Sequence, residues 1–149
     1  MDKWQRLGLY AGFLVFFAVI LIVGLRYQTY LYSQTKEYYD ILPFYRFRTF
    51  FFVTIGMMLA LPHLFRTRSM SGSWSFDWLK LTVFGLPLFY AWVVPLLFFN
   101  EWAPSVKLPF ASFLTGGYFG TVVSTSFETI IGVLLGYVIV TSVIKRKKF

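Results

Sequence analysis

Long uncharged stretches alternate with short charged ones along this chain. The uncharged runs cover residues 7–25, 49–65, 81–99 and 108–127, the last resuming after Glu128 as 129–144. A helix rises about 1.5 Å per residue, so ~20 apolar residues cross a ~30 Å hydrocarbon layer. Each of the first three runs is therefore about one span. Residues 108–144 are too few for two spans and a turn, so the pattern predicts one span over 121–144. It is preceded by an interfacial or re-entrant piece over 109–120, with Gly116-Gly117 as its break. The prediction is all-α: a multi-pass membrane protein of about four transmembrane helices, residues 1–149 forming a single helical domain.

The last helix has two unlike faces. At ~100° per residue, Thr121, Ser124, Thr125, Glu128, Gly132 and Gly136 fall on one arc, and Val123, Phe127, Ile130, Leu134 and Tyr137 lie opposite. In lipid, the bulky face meets acyl chains and the small, polar face meets protein, because glycine lets backbones approach and hydroxyls bond across. Gly132 and Gly136 make a GxxxG pair on that contact face.

Between the runs, Trp4 is an interfacial anchor, and residues 26–48 carry tyrosines at 27, 30, 32, 38, 39 and 45. This stretch reads as an aromatic belt extending into an external loop, with the first helix continuing past the membrane until Pro43 stops it. Tyrosine together with arginine also suits a docking surface. Residues 67–77 read as a flexible connector, with Ser75 or Asp77 as cap of the third helix. Pro87 and Pro95 bend that helix, which either shapes a cavity or reflects the tolerance of membrane helices for proline.

Composition moves the picture from helical to membrane-embedded. Hydrophobic residues make up 58% and charged ones 13%, against roughly a quarter charged in soluble domains. Residues 1–25 resemble a signal sequence, but no small-x-small cleavage pattern precedes Arg26-Tyr27, so the first helix is kept as a span. The net charge of +8 is scattered at span ends, which fits membrane topology and anionic headgroups and gives no reason to invoke nucleic acid. With four spans, one side holds Lys3, Arg6, Arg66, Arg68, Lys80 and the basic tail from Lys145 to Lys148. The other holds Arg26, Lys36, Arg46, Arg48 and Lys107. The excess on the first side predicts a cell-membrane protein with both termini in the cytoplasm.

Candidate chemistry is sparse. There is no cysteine and one histidine, His63, so neither a disulfide nor a metal site of the usual ligands can be assembled, and no cofactor is implied. Phosphate-cradling glycine loops and a serine-histidine-aspartate arrangement are missing, which argues against an enzyme. Glu128 is the one carboxylate within an apolar stretch, and such residues face protein or water and often serve ion or proton pathways. It lies about 26 Å before Lys145 along a helix. That depth favours a carboxylate reaching the outer interface beside Thr125 and Ser124, ahead of an interhelical polar clasp or a transport role. The candidate contact or polar residues are Ser124, Thr125, Glu128, Gly132 and Gly136. The expected function is a non-enzymatic subunit or accessory component of a membrane assembly. Its partners are the lipid bilayer and either another membrane protein or further copies of the chain. The alternative is a small transporter or channel using Glu128 and the bent third helix.

Overall fold

In the computed structural model, which describes residues 3–68, 72–99, 109–115 and 120–146, the chain is predominantly helical. It divides into two compact units, residues 1–44 and 45–149. Three helical stretches, Leu7–Tyr38, Leu42–Arg68 and Trp78–Phe98, are long and apolar enough to cross a membrane, and a shorter apolar helix covers Thr125–Thr141.

The first unit is dominated by α1 (Lys3–Tyr38), about 54 Å long at the α-helical rise. No proline interrupts it, so the helix does run past residue 25, but it stops at Tyr38 and not at Pro43. The break is made by Tyr39, which adopts a left-handed backbone (φ 57°), and by Asp40, whose side chain accepts from the Leu42 N–H at 3.0 Å. Pro43 falls in the first turn of the next helix, where a missing N–H costs nothing. The tyrosines at 27, 30, 32 and 38 consequently lie on this helix. Tyr27 stacks on Tyr30, Tyr32 tilts against Phe44, and the Lys36 ammonium sits 5.0 Å from the Tyr32 ring centre.

The second helical stretch begins at residue 42 and not at 49. It is made of α2 (Leu42–Leu59) and α3 (Leu61–Arg68), broken at Ala60. Pro62 cannot donate to the preceding turn, and the ladder is carried across the break by Ala60 N–H to Gly56 and Met57 carbonyls and by Leu64 N–H to Ala60.

After α3 comes a short strand, β1 (Ser73–Phe76), then α4 (Trp78–Lys80), a wider π-helical turn over Leu81–Gly85, and α5 (Leu86–Phe99). Asp77 caps α4, its carboxylate accepting from Lys80 N–H at 3.2 Å, so this helix starts three residues ahead of the expected apolar boundary. The π turn lies immediately before Pro87, and Pro95 is buried within α5. A short α6 (Ala111–Leu114) follows; Tyr90 of α5 donates its hydroxyl to the Pro109 carbonyl at 2.6 Å. Gly116 and Gly117, expected to break this segment, lie outside the described residues.

The last helix, α7 (Gly120–Thr141), ends three residues short of the expected boundary. Ser142 folds back on Val138 through both its N–H and its hydroxyl, and Lys80 donates to the Thr141 hydroxyl at 2.8 Å. Asp77 N–H donates to Ser142, and the chain then extends as β2 (Val143–Arg146), antiparallel to β1. Val143 and Ile144 are β-branched and favour an extended backbone over another helical turn. Within the stretch expected to be a flexible connector, residues 73–76 are thus half of a two-stranded ribbon, in the register Trp74↔Lys145 and Phe76↔Val143, and residues 69–71 lie outside the described residues. The ribbon gathers the end of α3, the start of α4 and the end of α7 at one end of the second unit.

Candidate functional site

The contact between α2 and α7 is set by three glycines. A Cβ built on Gly136 would stand 2.8 Å from Met57 N and 3.0 Å from the Val53 carbonyl carbon, and one on Gly56 would stand 2.8 Å from the Val133 carbonyl carbon. Real side-chain carbons do not approach backbone so closely, so only glycine allows this separation. Gly132 is less confined, its nearest neighbour being Phe52 Cβ at 3.2 Å. The opposite face of α7 is exposed along Phe127, Ile130, Leu134 and Tyr137, which matches the division of faces read from the sequence.

Two turns along the same contact, glycine gives way to charge. The Arg48 guanidinium lies 3.6 Å from the Glu128 carboxylate and also donates to the Thr125 carbonyl of α7. The Tyr45 phenol hydrogen-bonds the same carboxylate. Both charged side chains are largely enclosed, Arg48 at 8% exposure and Glu128 at 17%. Charges taken from water persist only when paired and hydrogen-bonded. Arginine suits an enclosed ion pair because its guanidinium is more weakly hydrated than an ammonium and stays charged when taken from water. The nearby hydroxyls are occupied within their own helices, Thr49 bonding the Tyr45 carbonyl and Thr129 the Thr125 carbonyl.

The third wall is α5. Trp92 reaches the Thr49 carbonyl at 3.4 Å and packs edge-on against Phe50. Between Arg48, Glu128 and Trp92 remains a cavity of about 10 Å³, room for roughly one water. Ala91 also lines it, and Pro95, four residues on, supplies no N–H for the Ala91 carbonyl. The arrangement can hold a solvated polar contact between helices; its volume is far below the ~300 Å³ of small-molecule sites.

Of the residues singled out from sequence, Glu128, Gly132 and Gly136 all face α2 from α7. Thr125 contributes its backbone carbonyl. The Ser124 side chain lies outside the described residues. The sequence favours Glu128 at the outer interface beside Thr125 and Ser124, ahead of an interhelical clasp; its carboxylate is engaged by Arg48 and Tyr45, the geometry of that second alternative. Arg48, counted among the loop cations, is buried in α2. Tyr45, Arg48 and Gly56 were overlooked, although their spacing with Phe52 (i, i+3, i+7, i+11) puts them on one helical stripe. His63 is exposed on α3, and no cluster of three metal-ligating side chains occurs among the described residues. No protein-family model, curated protein or solved structure matches this chain.

Proposed function

We propose that the chain is a small integral membrane protein of four spans, with both termini cytoplasmic, acting as a non-enzymatic subunit or accessory component of a membrane assembly. The membrane reading draws on the helices that are long and apolar enough to cross and on large hydrophobic side chains exposed along them, among them Leu14, Ile22, Phe84 and Leu86. In water so much apolar surface would drive association; in lipid it is the ordinary exterior. The ribbon between β1 and β2 supports an even number of crossings between the loop and the tail, since it joins them at one end.

The observation that carries the accessory reading is the engagement of Glu128. Its carboxylate is tied to Arg48 and Tyr45 beside a cavity of about 10 Å³, which suits a group that holds α7 to α2. A small transporter or channel is the second reading, favoured by the position of that cavity against proline-bearing α5. Purification in mild detergent distinguishes the two. A stoichiometric foreign membrane protein supports the accessory reading; a homo-oligomer that passes ions once reconstituted contradicts it.

A further inference from the structure

The ribbon end of the second unit concentrates positive charge and aromatic surface in one place. Arg66 and Arg68 are exposed in the last turn of α3, and Lys145 joins them, donating to the Arg68 carbonyl at 2.7 Å. Opposite Lys145 in the register stands Trp74, with the ammonium 5.0 Å from its ring centre. Side chains alternate across a strand, so Trp74 and Phe76 share the ribbon face that carries Lys145. Trp74, Phe76 and Trp78 are 54%, 52% and 70% exposed. In sequence, Arg146, Lys147 and Lys148 follow directly, and the one carboxylate in residues 60–80 and 141–149 is Asp77, which is occupied in capping α4.

We infer that this ribbon face binds the anionic headgroups of phospholipids. The inference rests on the membrane reading above, which resistance of the protein to alkaline extraction tests separately. Charge complementarity selects an anion, and arginine pairs with phosphate through two parallel bonds. The aromatic residues select a lipid over other polyanions. Tryptophan and phenylalanine beside a basic cluster settle at headgroup depth, apolar ring toward the acyl chains and charge toward the phosphates. The same apolar helices start and end at this ribbon, which sets it at that depth.

The test uses the full chain in an uncharged detergent, titrated with phosphatidylglycerol, phosphatidylcholine, inorganic phosphate or a short oligonucleotide, reading retained lipid by native mass spectrometry and Tm by thermal unfolding. The expected result is retention of phosphatidylglycerol with a rise in Tm, and neither effect from the other three. A basic residue at an anionic surface is worth about fivefold in binding, so Arg66→Gln with Arg68→Gln should weaken phosphatidylglycerol binding by at least about tenfold. Arg26→Gln with Lys36→Gln, which removes the same charge from α1, should leave it unchanged. Equal retention of phosphatidylcholine would overturn the inference, as would equal loss in both double variants or an oligonucleotide that competes for the site. Because Arg66 and Arg68 are exposed, an unaltered Tm of their variant without lipid shows that the loss is one of binding.

Discussion

At the scale of single residues, the arrangement turns on Arg48 and Glu128. Truncating one partner of a buried ion pair strands the other charge, a loss of about 3 to 5 kcal/mol when burial is complete. With Glu128 still 17% exposed, the expected loss for Glu128→Ala is about 2 to 3 kcal/mol. Glu128→Gln should lose roughly half as much, because an amide still accepts from Tyr45 while the charge attraction to Arg48 is lost. Replacing both partners by leucine should recover most of the loss, since an apolar pair leaves nothing unpaired. Unfolding of these three variants and of the Arg48→Leu and Glu128→Leu single variants in detergent checks this, and purely additive effects of the two single leucine changes would mean the two side chains are not coupled.

The glycines set a ranking at the scale of elements. Alanine at Gly136 or Gly56 pushes a methyl into backbone of the facing helix, whereas at Gly132 it meets Phe52 Cβ at 3.2 Å, a tight contact but a less severe one. Gly136→Ala and Gly56→Ala are expected to destabilise by about 1 to 3 kcal/mol, with Gly132→Ala at the low end or below. Leu134→Ala, on the exposed face, should change little. Thermal unfolding that ranks Gly132→Ala as the worst of these would contradict the packing of α7 on α2. The ribbon supplies a second check. Since Ser75 stands opposite Ile144 in a chain without cysteine, Ser75→Cys with Ile144→Cys should oxidise to an intramolecular disulfide, hiding both thiols from maleimide. Continued labelling of both after oxidation would deny the pairing.

Much of this was legible in the sequence, and the parts that were not share a cause. The period of α7 gave its two faces correctly because glycine and polar residues on one arc need no knowledge of a partner. What the partner is could not be read the same way. Arg48 looks like a loop cation when charge alone marks a span boundary, whereas it lies inside α2 and is paired with Glu128 of the facing helix. The helix end at Thr141 was hidden for a similar reason: Val143 and Ile144 are apolar enough to continue a span, but a strand seventy residues earlier offers their backbone a ladder. Local pattern fixed the elements, and long-range pairing moved their ends.

For the molecule as a whole, the proposed arrangement of four spans with both termini cytoplasmic predicts that cysteines placed singly by Ser33→Cys, Ser71→Cys and Ser105→Cys label from outside, inside and outside respectively. Labelling of the Ser71→Cys protein from outside in intact cells would contradict that arrangement.

In the proposed role, Glu128 ties α7 to α2 and carries nothing across the membrane. Proton and cation flux into proteoliposomes loaded with the wild-type chain tests that claim most directly. The predicted result is a leak no greater than that of empty vesicles; a wild-type flux that disappears in Glu128→Gln, with unfolding temperature unchanged, would contradict it.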